Sequence, residues 1–323
     1  MTSLVTGASG FLGSRTAAAL CARGQSVRVL VRPTSDRRRV ADLPVEYAEG
    51  DVTDRPSVEK ALDGVETVYH SAALYELGTG RPEYMEQVNV GGTANVLEAA
   101  NERGILAVHV SSVAALGPTG ATPVVEGHWR QDIPRSPYEA TKKRAHVLAR
   151  DMAAGGARVR LAMPGTIYGP DDPSLLGLAH KYLFRGLPIA IGARLQMSFV
   201  HVDDCADGLA RIAEGGKDGD EYILCAQTAT FRQWFETIAA VTGKRPPRFY
   251  IPDFVTYDVG DVVRRAVPGK PGRVLRDAIA MSAGEHWAFS GEKARRELGW
   301  GPRTLEEGMR DLAGWYAQEQ KGA

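Results

Sequence analysis

The stretch TGASGFLG, from Thr6 to Gly13, restricts the fold of this chain more than any other part of the sequence. It lies between an apolar run typical of a strand and a longer run typical of a helix. Gly7 allows the sharp turn between the two elements, Gly10 lets the backbone approach an anion, and Gly13 lets the helix pack closely on the sheet. Three glycines at this spacing also occur in ordinary tight turns. The strand-to-helix context, however, predicts that the amides at the helix start bind a dinucleotide pyrophosphate.

Short apolar runs alternate with helix-like stretches as far as Pro164. This alternation predicts an α/β Rossmann fold, a doubly wound parallel sheet with helices on both faces. After Pro164 the pattern loosens, and the runs FVHVDDCADGLARIAEGG and EYILC are expected to return to the first sheet. The predicted domains are a dinucleotide-binding domain, residues 1–168 with returning segments at about 199–226, and a smaller, mostly helical substrate lobe, residues 169–198 and 227–323.

The overall composition excludes several classes of partner. Lys and Arg total 39, as do Asp and Glu, so no net charge attracts the protein to nucleic acid or to anionic lipid. No apolar run approaches the roughly 18 residues of a membrane span, and no signal peptide is evident. The cysteines Cys21, Cys205 and Cys225 lack paired or metal-binding spacing, and the histidines and carboxylates show none either. We expect a cytoplasmic protein without a metal site.

The end of the second predicted strand indicates which cofactor is preferred. A carboxylate at this point would bind the adenine ribose of NAD. The chain has Val31 and Arg32 instead, and a guanidinium suits a 2′-phosphate. We therefore expect NADP(H) to be preferred, with NAD(H) still possible. Arg37, Arg38 and Arg39 are expected to form a solvated loop, although one of them is a candidate second phosphate contact.

Tyr138 and Lys142 stand four residues apart in a predicted helix, so they share one face. A tyrosine pKa of about 10 is too high for efficient proton transfer at neutral pH, and a nearby ammonium is expected to lower it. The preceding strand ends in two serines, at the edge where parallel sheets bind ligands. Ser112 is expected to orient a carbonyl oxygen beside Tyr138, and Ser111 is its rival because only one of the two points inward.

Taken together, these motifs resemble those of the extended short-chain dehydrogenases/reductases of the epimerase/dehydratase type. The resemblance covers nearly the whole chain and is closest to the dihydroflavonol 4-reductase and 3β-hydroxysteroid dehydrogenase branch. It is carried by TGASGFLG, GDVTD, YHSAA, NVGGTANVLEAA, Ser112 with Tyr138-x-x-x-Lys142, MPGTIYGP, FVHVDDCADG and ELGWGPRTLEEGMRDLAGWY. It implies a homodimer in which the helices of residues 86–103 and 136–154 pair across a two-fold axis.

The resemblance also implies roles for individual residues. Asp51 and Val52 would hold adenine, and Asn89 would steady the helix–sheet junction or a bound water. The catalytic set would be Ser112, Tyr138 and Lys142. The cofactor-binding set would be Gly7, Ser9, Gly10, Phe11, Leu12, Gly13, Arg32, Asp51, Val52, Ala72, Ala73, Tyr138, Lys142, Pro164 and Ile167.

Two departures from the family pattern narrow the reaction. Val113 follows Ser112 where sugar-nucleotide dehydratases have an Asp-Glu pair, so dehydration is not expected. Met197 stands four residues before His201, where many sugar-nucleotide epimerases have an arginine, although Arg194 remains near enough in sequence to reach. His201 and Asp203 are expected to cap the helix that follows them.

Three functions remain open from the sequence. The first is an NADP(H)-dependent oxidoreductase that acts on an apolar ketone, aldehyde or secondary alcohol. The second is an NAD-dependent nucleotide-sugar 4-epimerase, and the third is a non-catalytic dinucleotide sensor. Tyr75, Tyr168 and Met197 are the predicted substrate contacts, and lobe packing is the alternative for each. Further candidates are Glu76, Leu77, His128, Trp129, His180, Phe184, Tyr257 and Trp287.

Overall fold

The structure, a computed structural model, describes residues 1–76, 78, 80–130, 133–174, 176–177, 189–191, 193–251 and 286–322. The candidate substrate contacts Leu77, His180, Phe184 and Tyr257 lie outside these residues.

The described strands follow the chain in this order: β1 (Thr2–Thr6), β2 (Ser26–Val31), β3 (Val45–Glu49), β4 (Thr67–His70), β5 (Leu106–Val110), β6 (Val159–Pro164), β7 (Thr166–Tyr168), β8 (Ile189–Ile191), β9 (Gln196–His201), β10 (Glu221–Leu224), β11 (Gln227–Thr230) and β12 (Phe249–Ile251). The described helices are α1 (Phe11–Ala22), α2 (Arg55–Ala61), α3 (Pro82–Glu86), α4 (Gly92–Glu102), α5 (Val113–Leu116), α6 (Pro137–Ala154), α7 (Val202–Gly215), α8 (Phe231–Thr242), α9 (Glu292–Leu298) and α10 (Leu305–Gly322). A 3₁₀ turn spans Arg38–Val40, and a π-helical turn spans Gln87–Gly91.

Seven parallel strands form the main sheet, in the order β10-β6-β5-β4-β1-β2-β3. Successive residues of a strand point to opposite faces, and both faces are covered. Val5 belongs to the core formed with α1 and α7, whereas Leu4 belongs to the core formed with α2 and α4. Strands buried on both faces explain the nearly continuous apolar runs in the sequence, and the predicted α/β Rossmann fold is confirmed.

The strand order reverses at β1, which pairs with β2 on one side and β4 on the other. In such sheets a crevice opens beyond the carboxyl ends of the strands at this reversal. The segments that follow Thr6, His70 and Val110 all leave the sheet at that edge. The fold therefore brings the glycine loop, the segment after β4 and the serine pair to one crevice.

One prediction about the second half of the chain is wrong. β10 joins the main sheet beside β6, as expected, but β9 does not. β9 lies between β7 and β11 in a separate three-stranded sheet. In the run FVHVDDCADGLARIAEGG, the strand part does not return to the main sheet, but the helix that follows it, α7, does and packs there against α1.

A separate small core lies between the three-stranded sheet and the helices α8 and α10. Tyr168, Phe199, Trp234 and Leu312 are almost fully buried there. A further pair of strands, β8 and β12, runs parallel. Within the described residues, no helix is both long enough and apolar enough to cross a bilayer.

Candidate active site

Packing within the protein explains two of the three glycines in the glycine loop. Gly7 has a φ of 71°, and a Cβ there would lie 2.7 Å from the amide nitrogen of Ala72. A Cβ at Gly13 would lie 2.2 Å from the carbonyl oxygen of Gly7. Gly10 is exposed, and a Cβ there would meet only that same oxygen, at 3.1 Å. Packing therefore accounts for Gly7 and Gly13, whereas Gly10 leaves backbone open toward the crevice.

Gly10 is also the N-cap of α1, and no side chain caps this helix end. The first turn carries no acidic residue, so the positive end of the helix dipole faces the crevice. Leu12 points into the core, whereas Ser9 and Phe11 are partly exposed. Uncapped amides at a helix N-terminus are suited to a pyrophosphate, and this end of the crevice fits a dinucleotide.

Arg32 differs from the three arginines that follow it. Its Nη1 lies 3.4 Å from the hydroxyl of Tyr84, and no carboxylate of the described residues lies within 4.0 Å of its guanidinium. Its neighbours are paired with acids: Arg37 with Glu49 at 3.0 Å, Arg38 with Asp36 at 2.6 Å, and Arg39 with Asp171 at 2.7 Å. Of this group, Arg32 is the cation with no carboxylate to displace.

The segment after β3 carries the residues expected to hold adenine. Asp51 accepts hydrogen bonds from the amide and hydroxyl of Thr53 at 2.9 and 2.8 Å. Val52 is 7% exposed and packs against Gly92 of α4. The Val52 carbonyl accepts from the side chain of Asn95 at 2.8 Å. This segment is thus held by its own side chains and by α4.

Tyr138 lies in the first turn of α6, which has Pro137 at N1 and Ser136 as its N-cap. A hydrogen bond with Ser112 acts to lower the pKa of Tyr138, but burial and the neighbouring Tyr75 raise it, and the net direction is upward. The sequence predicted a lowered pKa, so that prediction is wrong for this structure. The phenol is accordingly protonated at neutral pH, and it contacts Ser112.

Lys142 lies one turn further along α6 and is only 4% exposed. Its ammonium donates a hydrogen bond to the carbonyl oxygen of Val110 at 2.8 Å. Burial lowers the pKa of Lys142 to about 8, so the side chain is still mainly charged at neutral pH. A largely desolvated cation therefore lies between the end of β5 and the tyrosine turn of α6.

The two serines after β5 point to different partners. Ser112 contacts Tyr138, and its hydroxyl also accepts from the amide of Ala114 at 3.1 Å, which caps α5. Ser111 is buried, and its hydroxyl lies 2.9 Å from Nδ1 of His146. Ser112 is therefore the serine that lies beside Tyr138, and Ser111 points into the interior.

Asn89 lies in the π-helical turn and connects the segment after β4 to α6. Its side chain accepts from the amide of Leu74 at 2.6 Å and donates to the carbonyl of Leu74 at 3.1 Å. It also donates to the hydroxyl of Thr141 at 3.0 Å, and Thr141 donates in turn to the carbonyl of Tyr138 at 3.0 Å. Asn89 thus fixes the position of the segment that carries Tyr75 relative to α6.

The candidate substrate contacts occupy different environments. Tyr75 is 50% exposed, and its ring packs edge-on against Tyr138 at 4.8 Å between centroids. Tyr168 is 1% exposed, and a Cβ at Gly308 would lie 2.0 Å from its hydroxyl, so Tyr168 packs in the lobe core instead of facing a crevice. Met197 is partly buried in the same core.

The remaining crevice residues lie at the ends of β4 and β6. The amide of Ala72 donates to the hydroxyl of Thr6 at 3.2 Å, and Ala73 is exposed. Pro164 is buried, whereas Ile167 is partly buried against the α1 and α7 core. The other candidates contact protein groups: His128 a carbonyl, Trp129 the ring of His146, and Trp287 the apolar cluster around Met163.

His201 caps α7, as expected, because its ring accepts from the amide of Asp203 at 3.3 Å. His201, Asp203 and Asp311 lie close enough to share a metal ion, a grouping that sequence spacing did not indicate. Arg15 lies 3.6 Å from Asp203, and Arg303 lies 3.5 Å from Asp311. These cations and the occupied Nδ1 disfavour a metal at this position.

Neither His146 nor Glu221 was predicted as a site residue, although both lie close to the site. His146 is one turn after Lys142, so the helical spacing alone places it on the catalytic face. Glu221 belongs to β10, and no sequence signal links that strand to α6. The structure places Oε1 of Glu221 3.2 Å from Nε2 of His146.

A family model described as the NAD dependent epimerase/dehydratase family matches residues 3–225. The chain belongs to this family. Sterol demethylase protein B of Methylococcus capsulatus is 32% identical, with 98% of this chain and 99% of that protein aligned. A farnesyl-dihydroquinoline-oxide ketoreductase of Stigmatella aurantiaca is 30% identical, with 96% and 95% aligned.

Solved structures share the fold of this chain. The crystal structure of gox2253 superposes with a TM-score of 0.86 at 35% identity and covers 98% of both chains. UDP-glucose 4-epimerase of Thermotoga maritima superposes with a TM-score of 0.79 at 22% identity, covering 99% of this chain and all of that one. The second likeness supports the fold alone.

Proposed function

We propose that this chain is an NADP(H)-dependent oxidoreductase that interconverts an apolar ketone or aldehyde and its alcohol. The observation that carries the proposal is that Tyr138 interacts with Ser112 at the end of β5, and that the buried Lys142 follows Tyr138 by one turn of α6 and donates to the carbonyl of Val110 at 2.8 Å. The hydroxyl and the phenol could provide a hydrogen-bond donor and a proton for a carbonyl oxygen, and the cation one helical turn away could provide a stabilising charge.

In the proposed mechanism Tyr138 supplies the proton. Burial keeps its phenol protonated, so in the reductive direction it donates its proton to the carbonyl oxygen. Ser112 donates a hydrogen bond to the same oxygen and orients it. Nicotinamide, when bound, supplies the hydride to the carbonyl carbon.

Lys142 stabilises the phenolate that this proton transfer leaves on Tyr138. A charge in a desolvated position acts more strongly than one in water, because the effective dielectric constant is lower. The bond to the carbonyl of Val110 holds the ammonium in place before the reaction begins. The stabilisation therefore needs little rearrangement during the proton transfer.

The preference for NADP(H) rests on Arg32. Its guanidinium is exposed and has no carboxylate partner among the described residues, so binding a 2′-phosphate breaks no ion pair. A charge-assisted hydrogen bond to phosphate is worth about 1.5–3 kcal/mol. The proposed apolar substrate follows from the relatives, whose names include a farnesyl-quinoline ketoreductase and a 3β-hydroxysteroid dehydrogenase.

The test is NADPH consumption with a panel of ketones that ranges from short alkyl ketones to steroid and isoprenoid ketones. We expect turnover with at least one bulky apolar ketone, and a lower KM for NADPH than for NADH. Purified protein that carries non-exchanging NAD and equilibrates UDP-glucose with UDP-galactose, without net oxidation of NADPH, would contradict the proposal.

A further inference from the structure

A second chain of polar groups lies directly behind the proposed catalytic residues. The hydroxyl of Ser111 is 2.9 Å from Nδ1 of His146, and Nε2 of His146 is 3.2 Å from Oε1 of Glu221. Ser111 is 4% exposed and His146 is fully buried. These three residues, the Ser111–His146–Glu221 chain, are not used by the mechanism above.

The chain joins the same segments that carry the catalytic groups. Ser111 directly precedes Ser112, and His146 follows Lys142 by one helical turn. Glu221 begins β10, the strand at the edge of the main sheet beside β6. The chain therefore connects the end of β5, the middle of α6 and the edge strand through one hydrogen bond, between Ser111 and His146, and one polar contact of 3.2 Å, between His146 and Glu221.

The surroundings fix the direction of these contacts. Burial acts to raise the pKa of Glu221, but His146 and Arg150 outweigh it and the pKa is lowered, so Glu221 is a carboxylate at neutral pH. A carboxylate oxygen 3.2 Å from Nε2 favours a hydrogen on that nitrogen. In neutral His146 this leaves Nδ1 to accept from the hydroxyl of Ser111.

Trp129 and Arg150 shield this arrangement. The ring of Trp129 stacks on His146 with 5.6 Å between centroids, and the guanidinium of Arg150 lies 3.1 Å from Glu221. A serine, a histidine and a carboxylate in this order resemble a hydrolytic triad. Ser111 is too deeply buried to reach a substrate, so a nucleophilic role is excluded.

We propose that the Ser111–His146–Glu221 chain is a positioning device that holds Ser112 and Tyr138 in contact. The inference rests on the proposed function. A displacement of reacting groups by about 1 Å can cost about 100-fold in rate, so loosening β5 against α6 acts on the chemical step. The proposed phosphate contacts of the cofactor, in the glycine loop and at Arg32, lie outside this chain, so we expect little change in cofactor affinity.

The first experiment compares Ser111→Ala, His146→Leu and the double variant in steady-state assays with the ketone found above. We expect each single variant to lower kcat about 10-fold and to leave the KM for NADPH within about 2-fold. The kcat of the double variant should be no lower than that of the more impaired single variant. Ser3→Ala is the matched control, because Ser3 is equally buried and its hydroxyl donates to Gln25 at 2.8 Å, at the opposite edge of the sheet. It should lose stability without losing kcat.

A second measurement is independent of any substrate. In ¹⁵N-histidine-labelled protein, His146 is expected to show a protonated Nε2 and an accepting Nδ1, and the Nδ1 shift should move in Ser111→Ala. Full kcat in correctly folded Ser111→Ala and His146→Leu would overturn the positioning role, as would an Nδ1–H tautomer. If no ketone is turned over while the histidine spectrum is as expected, the proposed function fails and the hydrogen-bond chain stands.

Discussion

The charged residues at the two ends of the crevice lie in opposite environments. At the reactive end, Lys142 is buried and donates to one backbone carbonyl, and Tyr138 is held by Ser112. At the other end, around Arg32, where we propose that the adenosine of NADP(H) binds (the adenosine end), Arg37 and Arg39 are partly exposed and each is paired with a carboxylate. The reactive end has few interactions in a desolvated environment, whereas the adenosine end has many in contact with water.

This difference indicates at which end of the crevice a substitution should have the larger effect on the reaction rate. A buried charge interacts strongly with its neighbours and responds to pH, because its pKa has already been shifted by burial. An exposed ion pair is worth only about 0.2–1 kcal/mol, and salt screens it. We therefore expect large effects on rate at the reactive end and, at the adenosine end, a measurable effect at Arg32 alone.

The largest effect after loss of the tyrosine hydroxyl should come from Lys142→Met. Removing the ammonium leaves the phenolate of Tyr138 without its stabilising charge, and kcat should fall about 10²–10³-fold. Steady-state assays with NADPH check this, with Lys60→Met, an exposed lysine of α2, as the control. A loss of less than 3-fold would show that the buried cation does not act on the reaction.

The pH dependence should distinguish loss of charge from loss of fold. The pKa of Lys142 is lowered to about 8 in the folded protein, so kcat for reduction should fall as the pH rises through 8. Between pH 8 and 9.5 the unfolded chain binds more protons at this lysine than the folded one. The Lys142 contribution to the free energy of unfolding should thus rise, by about 1 kcal/mol per pH unit. Chemical denaturation of wild type and Lys142→Met at each pH isolates the contribution of Lys142 to the free energy of unfolding. A kcat for reduction that stays constant up to pH 9.5 would contradict the predicted role of the Lys142 charge in the reaction.

The next effect concerns cofactor choice at the other end. Arg32→Ala should raise the KM for NADPH about 10–100-fold and change the KM for NADH less than about 3-fold, because only NADPH has a 2′-phosphate. Initial-rate measurements at low ionic strength with both cofactors provide the comparison. Equal losses for both cofactors would mean that Arg32 supports the fold of the loop and does not contact phosphate.

The smallest effect is expected at the Arg39–Asp171 pair. Asp171 has a φ of 63°, a conformation that asparagine tolerates, so Asp171→Asn removes the charge with little backbone strain. The free energy of unfolding should change by no more than about 1 kcal/mol, and the KM for NADPH by no more than about 3-fold. A 10-fold change in the KM for NADPH would instead make Arg39 a phosphate contact.

The positions of Ser112, Tyr138 and Lys142 in the fold were largely predictable from the sequence, because these residues are close together in the chain or follow directly from a strand end. The predicted helix of residues 136–154 corresponds to Pro137–Ala154, which places Lys142 one helical turn after Tyr138. The glycine loop was predictable for the same reason, since Gly7 and Gly13 meet a local requirement of the turn.

Other features depend on contacts that the sequence does not display. The direction of the Tyr138 pKa was predicted from one neighbour, but burial by the whole fold decides it. The strand β9 was assigned to the main sheet because no local pattern reveals that β7 and β11 flank it. Glu221 meets His146 only because β10 pairs with β6, a contact between residues far apart in the chain.

The most direct test of the account is single-turnover reduction of the ketone, followed by NADPH fluorescence, in Tyr138→Phe. Tyr69→Phe is the control, because Tyr69 is a buried tyrosine, 1% exposed, that faces the α1 and α7 core and not the crevice. We predict that Tyr138→Phe binds NADPH normally and that its rate of hydride transfer falls about 10²–10⁴-fold, while Tyr69→Phe keeps its rate. An unchanged rate in Tyr138→Phe would contradict the assignment of this phenol as the proton donor.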